Sequence, residues 1–307
     1  MRLEGVHHVT CITADAPGNV EFYANTLGLR LVKKTVNQDD PTVYHLFYAD
    51  ELASAGADIT FFEYPGVPNG RAGDGMVHRI VFRVGSEASL DFWAERVGGE
   101  RTPGSLIFND PEGLALEFVV DDSGDPPLRA RDPEIPEEHA IRGFAGVRAY
   151  ASRPERSAPL LDALGFTTGA DGAHETRGDR RGGFYVYDTP PEASGLHGAG
   201  TVHHVAWSSL PDEHEAWRDR VLQAGLSPTP VVDRFYFKSI YFREPNGILF
   251  EIATIGPGFT AYEPLETLGE SLSLPPNFEH LRDRLADVLT PLPVPRAVVA
   301  RSSSGVD

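Results

Sequence analysis

The stretch VHHVAW at residues 202–207 decides the fold, because it repeats the VHHV of residues 6–9 at the other end of the chain. Two related stretches lie between them, VHRI at residues 77–80 and FAGV at residues 144–147. All four stand in runs of β-branched and aromatic residues, which predict strands. Since recurring similarity along a chain indicates a repeated structural unit, the sequence predicts four related repeats.

Each repeat continues in the same order after its first strand. A helical pattern follows and stops near a glycine, as helices often do at their C-termini. Extended segments come next, and three repeats close on an apolar run that ends in glutamate, at Glu63, Glu117 and Glu251. The third repeat closes on GGFYVYD, residues 182–188, without a matching glutamate. The unit is therefore βαβββ, and we predict an α+β fold with repeats one and four in one cup and repeats two and three in another.

Changes in composition set the predicted domain boundaries. Residues 1–125 are expected to form an N-terminal domain with repeats one and two, and residues 143–262 a C-terminal domain with repeats three and four. Residues 126–142, rich in proline and charge, are the predicted linker. Residues 263–307 form an extension with one short amphipathic helix, and its last dozen residues, ending RSSSGVD, are predicted to be disordered.

The composition argues against several classes of partner. The 307 residues include 27 Lys or Arg and 45 Asp or Glu, for a formal net charge of -18 at pH 7. So acidic a chain disfavours binding to nucleic acid or anionic membranes. No apolar run approaches the ~20 residues that span a bilayer, and no signal-peptide core is present. We expect a cytoplasmic protein, with a buried and inert thiol at its single cysteine, Cys11.

Only repeats one and four combine a histidine at the position of His8 with a closing glutamate. If these repeats share one curved sheet, His8, His204 and Glu251 converge. Glu63 is then a candidate fourth ligand. Two imidazoles and one carboxylate that leave coordination positions open suit non-haem Fe(II) for the activation of oxygen. Four protein ligands would suit a closed or non-redox site instead.

Repeats two and three lack this combination. Arg79 stands in repeat two where His8 stands in repeat one, and Gly146 takes that place in repeat three. Glu117 therefore has no histidine to join, and a structural ion pair with Arg79 is expected. The sequence predicts a metal in one cup only.

Strand alternation separates the two members of each histidine pair. Because residues two apart share a face of a strand, His8 and Thr10 face one way and His7 the other. The same holds for His204 and His203. In a regular strand only one histidine of each pair can bind a metal, but its neighbour can act beside it if the strand twists or bulges.

Residues 233–254, DRFYFKSIYFREPNGILFEIAT, carry the densest set of chemically useful side chains. Arg234 and Tyr241 lie upstream of Glu251 within this segment. A hydroxyl or guanidinium group beside a metal can hold a phenolate or a reduced oxygen species. On the sequence alone, each of the two is equally well explained as a surface or packing residue.

Four stretches of the sequence resemble those of the vicinal oxygen chelate superfamily, which includes glyoxalases and extradiol dioxygenases. They are VHHVT, KKTVNQDDP, VHHVAW and KSIYFREPNG. Within that superfamily they resemble the ring-cleaving hydroquinone 1,2-dioxygenases, over roughly residues 5–290. KKTVNQDDP and KSIYFREPNG are specific to that branch, whereas the repeats alone indicate only the superfamily. The resemblance implies that the βαβββ repeats form two vicinal-oxygen-chelate barrels.

The resemblance also implies a set of site residues. It implies that His8, His204 and Glu251 hold Fe(II), or in some members Mn(II), and that Glu63 is not a ligand. It implies roles beside the metal for five further residues, which are Tyr241, Arg234 and His203 in catalysis and His7 and Thr10 in substrate binding. A histidine next to a ligand is expected to take the phenol proton, since its ordinary pKa suits that exchange.

The function implied is Fe(II)-dependent cleavage of a hydroquinone-type or catechol-type ring with O2. A small aromatic substrate and O2 are then the expected partners, and a homo-oligomer the expected assembly. Two rivals stay open. A glyoxalase-type isomerase would recruit Glu63 as a fourth ligand and need no oxygen. A metal-free drug-binding resistance protein would hold a planar or anionic ligand in the same cup, although binding alone needs no convergent histidines and glutamate.

Overall fold

The structure, a computed structural model, describes residues 1–293, so the predicted disorder of the last dozen residues lies outside the described residues. The described strands are β1 (Val6–Thr13), β2 (Arg30–Val36), β3 (Tyr44–Ala49), β4 (Asp58–Glu63), β5 (Met76–Val84), β6 (Glu100–Thr102), β7 (Ser105–Asn109), β8 (Ala115–Val120), β9 (Phe144–Tyr150), β10 (Thr167–Thr168), β11 (His174–Arg177), β12 (Gly182–Asp188), β13 (Thr201–Ser209), β14 (Val232–Asp233), β15 (Phe237–Arg243) and β16 (Leu249–Pro257). The α-helices are α1 (Ala16–Val20), α2 (Glu87–Val97), α3 (Ala158–Ala163), α4 (His214–Gln223) and α5 (Arg282–Val288). A π-helical segment covers Glu21–Thr26, and short 3-10 helices cover Pro154–Ser157, Pro211–Glu213, Phe259–Ala261, Leu265–Thr267 and Pro276–Leu281.

The strands form two eight-stranded sheets, each made from two repeats. The strand orders are β14-β15-β16-β13-β1-β4-β3-β2 and β10-β11-β12-β9-β5-β8-β7-β6. At the centre of each sheet the first strands of two repeats pair antiparallel, β1 with β13 and β5 with β9. Repeat one therefore joins repeat four, and repeat two joins repeat three. The predicted α+β fold, the four repeats and their pairing into two cups are confirmed.

Each sheet takes strands from both sides of residues 126–142. Grouping the chain by sheet thus differs from grouping it by sequence order. The sequence-based division into residues 1–125, 126–142, 143–262 and 263–307 stays a prediction.

The last residue before the predicted linker, Asp125, is held by ion pairs. The Asp125 carboxylate accepts hydrogen bonds from Arg83 Nη1 at 2.7 Å, from Arg177 Nη1 at 2.6 Å and from the Gly182 backbone N–H at 3.1 Å. Burial alone raises the pKa of Asp125, but the hydrogen bonds from Arg177 and Arg83 outweigh it and hold the pKa at about 2. Because Arg83 lies on β5 and Arg177 on β11, this carboxylate ties repeat two to repeat three.

The central strand β1 shows how one strand serves both the core and the site. It is buried along its whole length. Val9 and Cys11 pack in the hydrophobic core, so the alternating residues His8 and Thr10 face the other way. Cys11 is buried as predicted, and burial raises the pKa of its thiol.

Helix α2 shows the predicted boundaries. At its start the Ser86 side chain accepts a hydrogen bond from the Ser89 backbone N–H at 3.2 Å, which satisfies one of the free donors of the first turn. At its end Gly98 adopts φ 71°, a left-handed conformation that glycine takes at little cost.

The C-terminal extension packs along the edge strand β2. The Ser273 backbone N–H donates to the Lys34 carbonyl at 2.8 Å. The buried Lys33 ammonium pairs with Glu263 and lies 4.7 Å from the centre of the Tyr236 ring. Because Tyr236 lines the cavity of the first cup, the extension supports one wall of that cavity.

Among residues 1–293, every helix falls short of the length and apolar character needed to cross a membrane.

Candidate active site

Three adjacent strands of the first sheet bring two histidines and a glutamate together. His8 lies on β1, His204 on β13 and Glu251 on β16. The two histidine Nε2 atoms are 3.3 Å apart. Glu251 Oε2 lies 3.2 Å from His8 Nε2 and 2.9 Å from His204 Nε2. In the part of the chain that the structure describes, no other trio of His, Cys, Asp or Glu side chains converges in this way.

The chemistry of this trio fits a divalent metal ion. Metal–ligand bonds of about 2.1 Å that meet at right angles place neighbouring ligand atoms about 3.0 Å apart, close to the separations observed. Glu251 Oε1 accepts a hydrogen bond from Ser239 Oγ. Its Oε2 is buried and faces the two histidine Nε2 atoms, with no further hydrogen-bond partner among the described residues. A cation would satisfy this otherwise costly oxygen, and the donor set is that of non-haem Fe(II) sites with open positions.

The protonation of Glu251 and His204 suits metal binding. Burial alone raises the pKa of Glu251, but the adjoining His8 and His204 outweigh it and hold that pKa well below its ordinary value. Burial lowers the pKa of His204, although Glu251 opposes the shift. A carboxylate and neutral imidazoles are the forms that bind a metal.

Both histidine pairs contain a β-bulge. The register between β1 and β13 shifts between Val6 and His8, and again opposite Thr10 and Cys11. These shifts leave His7 and His203 as the extra residues of their strands. Each bulge brings an imidazole beside the histidine that follows it, which is how both members of a pair reach the site.

His7 fixes the orientation of His8. His7 Nε2 lies 3.1 Å from the Thr254 carbonyl oxygen, which can only accept, so this nitrogen carries the hydrogen. Burial, reinforced by His8, lowers the pKa of His7 to about 3, so the ring is neutral. Its Nδ1 then accepts a hydrogen bond from His8 Nδ1, 2.9 Å away. His8 is left with a lone pair on Nε2, directed at the site.

His203 supports His204 in the same way but opens onto the cavity. The two Nδ1 atoms lie 2.7 Å apart. Burial, with His204 beside it, lowers the pKa of His203 to about 3. If His204 offers its Nε2 lone pair to a metal, its Nδ1–H donates to His203, which then carries its hydrogen on Nε2. Among the described residues that Nε2 has no partner, and His203 lines the cavity.

Arg234 and Tyr241 form a second pair on the cavity wall. Arg234 Nε donates to the Tyr241 hydroxyl oxygen at 3.1 Å, and the guanidinium lies 5.2 Å from the centre of the Tyr241 ring. The Tyr241 ring packs edge-on to His204, with centres 5.8 Å apart. Burial and the nearby Glu251 carboxylate raise the pKa of Tyr241, so it keeps its proton and can donate it in a hydrogen bond.

The cavity in front of the trio has a volume of about 350 Å³, near the lower end of small-molecule sites. Its wall combines aromatic rings with imidazoles, and it includes Phe47, Phe62, Phe237, His8 and His204. A flat ring of one cycle fits a cavity of this size and character.

The neighbouring strand β4 places a threonine where repeat four has its glutamate. Glu251 lies opposite Ala206, two residues after His204. In repeat one, Thr60 lies opposite Thr10, two residues after His8. Thr60 Oγ1 donates to Thr10 Oγ1 at 2.8 Å.

Glu63 is not the counterpart of Glu251, and it is not among the side chains that converge at the trio. It lies three residues beyond Thr60 on β4, which is roughly 10 Å further along and on the opposite face. There its Oε1 accepts a hydrogen bond from the Ala16 backbone N–H at 3.3 Å, at the start of α1.

In the second cup an arginine, Arg79, occupies the register position that His8 has in the first cup. Glu117 lies opposite Val81, two residues after Arg79, the register that Glu251 has in the first cup. Its Oε1 accepts from Ser105 Oγ at 2.7 Å, and its Oε2 from Arg79 Nη1 at 3.1 Å. The predicted ion pair between Arg79 and Glu117 is confirmed, and the guanidinium provides the positive charge there.

Two residues near the trio went unrecognised in the sequence. Ser239 holds Glu251, and His45 lines the cavity with its Nε2 3.0 Å from Thr60 Oγ1. The two residues occupy equivalent register positions in repeats four and one. Ser239 lies opposite Ala253, two residues after Glu251, and His45 lies opposite Phe62, two residues after Thr60. Comparing the third strands of the repeats residue by residue would have singled them out.

Known proteins with similar sequences share this family of folds. Residues 5–118 match the family model described as "Glyoxalase/Bleomycin resistance protein/Dioxygenase superfamily". The chain is 39% identical to "Putative ring-cleaving dioxygenase MhqA" of Bacillus subtilis over 95% of this chain and 100% of that protein. It is 30% identical to "Chlorohydroquinone/hydroquinone 1,2-dioxygenase" of Sphingobium indicum over 92% of this chain and 95% of that protein.

Solved structures agree with the architecture. A crystal structure of a "putative dioxygenase" from Bacillus subtilis is 36% identical and superposes with a TM-score of 0.88, over 96% of this chain and 99% of that one. Glyoxalase I from Zea mays is 15% identical and superposes with a TM-score of 0.55, over 82% of this chain and 92% of that one. The second likeness shows the fold alone.

Proposed function

This chain belongs to the glyoxalase/bleomycin resistance protein/dioxygenase superfamily, and from that premise we propose that it is an Fe(II)-dependent dioxygenase that opens hydroquinone-type or catechol-type rings. Mn(II) is the alternative metal. The observation that carries the proposal is the trio His8, His204 and Glu251, held buried beneath an aromatic-lined cavity. The names of the relatives, ring-cleaving dioxygenases, support the same class of enzyme.

The bound metal would supply Lewis acidity and one-electron redox chemistry for O2. In the overall reaction one ring carbon–carbon bond breaks and both oxygen atoms enter the product. The chain itself orients the substrate. His203 offers its Nε2–H and Tyr241 its hydroxyl to a substrate oxygen at the cavity wall. Because Nδ1 of His203 is already used by His204, His203 is arranged to donate to a phenolate, in contrast to the expectation that it takes the phenol proton.

A hydroquinone can offer the metal only one oxygen, because its second hydroxyl lies across the ring. Its orientation must then come from the protein. The rings of Phe47, Phe62 and Phe237 supply flat contacts, and Arg234 fixes the Tyr241 hydroxyl. Hydrogen bonds that are already in place before the reaction stabilise developing charge at little reorganisation cost. His7 and Thr10 lie behind the trio, and we assign them to support of His8 and of the neighbouring strand.

The isomerase alternative loses its fourth ligand. Thr60, a neutral hydroxyl, occupies the register of a fourth carboxylate, and Glu63 faces α1. A site with three protein ligands leaves positions open for substrate and oxygen. A pure binding protein would have no use for a buried carboxylate oxygen that faces two imidazole nitrogens.

We further propose a cytoplasmic homo-oligomer with a small aromatic molecule and O2 as its partners. The acidic composition, with a net charge of -18, supports the exclusion of nucleic acid and anionic membrane.

The test is an oxygen-dependent assay of the Fe(II)-loaded protein. Hydroquinone and catechol are mixed with the protein anaerobically, and O2 is then admitted. We expect no turnover before O2 and one O2 consumed per ring opened afterwards. The matched variants are Glu251→Gln, expected to be inactive, and Glu117→Gln, the same change in the second cup, expected to be active. Turnover of a glyoxalase substrate without O2 would overturn the proposal in favour of the isomerase.

A further inference from the structure

The loop between β2 and β3 crosses the mouth of the cavity to reach Arg234. Asp39 accepts two hydrogen bonds from this guanidinium, from Nη2 at 3.0 Å and from Nη1 at 3.2 Å. Gln38 Nε2 donates to the Arg234 carbonyl oxygen at 2.8 Å. These residues belong to KKTVNQDDP, the motif singled out in the sequence. The loop thus binds both the backbone carbonyl and the guanidinium of Arg234, on the opposite side of the cup.

Arg234 has a special position among the residues of the cavity wall. Of the described residues that line the cavity, it is the only Lys or Arg. The backbone of Arg234 is fixed at both polar groups. Its N–H donates to the Phe237 carbonyl at 2.9 Å, and the Arg234 carbonyl accepts a hydrogen bond from Gln38. The freedom that remains lies in the guanidinium, which divides its donors between the Tyr241 hydroxyl and Asp39. Any anion in the cavity must compete with Asp39 for this cation.

The two partners are unequally exposed. The Asp39 side chain is 74% exposed and that of Arg234 20%. An ion pair with one solvated partner contributes little to stability, and such a carboxylate can give way to a competing anion. The more direct effect of the Asp39 carboxylate is to cancel the positive charge that Arg234 presents to the cavity.

Ring opening changes the charge of the ligand. A phenol is neutral near pH 7. Cleavage beside a hydroxyl-bearing carbon turns that carbon into a carboxylic acid, which ionises. The product therefore carries a negative charge that the substrate lacks. A bare guanidinium on the cavity wall would hold the product more tightly than the substrate.

We propose that Asp39 is a positioning residue that sets ligand specificity through Arg234. By occupying the guanidinium it keeps the cavity selective for uncharged phenols and prevents the carboxylate product from being retained. The biological role rests on the proposed function, because that reaction creates the carboxylate. The charge selectivity itself is a property of the loop and the cavity, and it can be measured without turnover.

The test compares binding of benzoate and benzamide by calorimetry. The two ligands have similar shape and differ in charge. The full-length protein is used anaerobically with its metal in place, and again after chelation, because a metal also attracts benzoate. The variants are Asp39→Asn, Asp40→Asn and the double change Asp39→Asn with Arg234→Gln. Asp40 is the matched control, since its Oδ1 accepts hydrogen bonds from the Thr42 backbone N–H and hydroxyl within the loop, and asparagine keeps that acceptor.

In Asp39→Asn, benzoate should bind about 2- to 5-fold more tightly, the range expected when a partly screened ion pair is released. Benzamide should change by less than about twofold, and Asp40→Asn should leave both ligands unchanged. The double variant should lose the gain. Benzoate affinity no higher than wild type, including no detectable binding by either protein, would overturn the proposal. So would an equal gain for benzamide, which would indicate a loosened loop. A wild-type protein that opens no ring would refute the proposed function and leave this comparison intact.

Discussion

Thr60 and Glu251 occupy equivalent positions in the two halves of the first cup. Each lies on the strand parallel to a histidine-bearing strand, opposite the residue two places after that histidine. Each is also contacted by a side chain from the adjacent strand, Thr60 by His45 and Glu251 by Ser239. Repeat one therefore has a neutral hydroxyl at the register position where repeat four has a carboxylate.

Thr60→Glu should convert the site to one with two histidines and two carboxylates. Divalent metal binding should tighten, by about tenfold, because an added carboxylate raises the charge of the ligand set. Ring opening should fall on the order of 100-fold, because a position for substrate or oxygen is filled. Metal titration and oxygen uptake provide the measurements. Thr60→Gln is the uncharged control of the same size, and full turnover by Thr60→Glu would show that position 60 does not face the metal.

Glu251→Gln should abolish metal binding, since it removes the only carboxylate of the trio. Elemental analysis of the purified protein should find about one metal ion per chain in the wild type, as one complete trio implies, and almost none in the variant. Glu117→Gln removes the equivalent carboxylate of the second cup and should retain the metal. Equal metal contents for wild type and Glu251→Gln would refute the ligand assignment.

His7→Phe should weaken metal binding about 10- to 100-fold, the usual effect of losing the partner that orients a metal-bound histidine. The phenyl ring cannot accept the His8 Nδ1–H, so the His8 tautomer is no longer fixed. Competition with a metal-binding dye measures the affinity. His78→Phe is the control, because His78 precedes Arg79 in the second cup as His7 precedes His8. A variant at His7 with wild-type affinity would mean that the Thr254 carbonyl plays no part in orienting the ligand.

Tyr241→Phe removes one hydroxyl and almost no volume. Turnover should fall about 10²- to 10³-fold, as with other donors positioned before the reaction. Iron content and melting temperature should stay near those of the wild type, since the hydroxyl's partner, Arg234, remains paired with Asp39. Unchanged turnover on both hydroquinone and catechol would identify Tyr241 as a packing residue.

Asp125→Asn should cost about 1–2 kcal/mol of unfolding free energy at pH 7. A pKa shift of about two units corresponds to at most about 2.6 kcal/mol, and screening by solvent reduces this value. The pKa of Asp125, about 2 in the folded protein, is lower than the ~3.9 of an unfolded chain. Its contribution is therefore complete above about pH 4 and lost as the pH falls toward 2. Denaturant titrations at several pH values measure the difference between wild type and variant. Asp122→Asn, at an exposed position nearby, should show no such dependence, and a difference that stays constant with pH would contradict the mechanism.

The sequence allowed prediction where chemically useful residues recur at matching positions in the repeats. The paired histidines of repeats one and four and the closing Glu251 were enough to predict that these two repeats pair. A recurring pattern of buried polar residues indicates a common site. Arg79 in the matching position was likewise enough to predict an ion pair in place of a metal. These inferences depend on residue type and order, which the sequence contains.

The register of the strands could not be predicted from the sequence. Glu63 ends its apolar run as Glu251 does, yet a three-residue offset between β4 and β16 puts the two on different faces. The bulges at His7 and His203 depend on how β1 meets β13, two strands far apart in the chain. Asp39 acts on Arg234 across the mouth, and its role depends on a contact between distant segments. Periodicity within a segment carries no information on such contacts.

The pairing of the first repeat with the last has a consequence for biosynthesis. His8 is made with the first strand, but Glu251 follows only in the sixteenth, so a growing chain cannot assemble the trio until nearly all of it has left the ribosome. The first repeat, by itself, exposes one imidazole of the set and no carboxylate for it. A polypeptide that ends before Glu251 thus lacks the complete trio, so the proposed metal chemistry is confined to chains that have been synthesised through the last strand of repeat four.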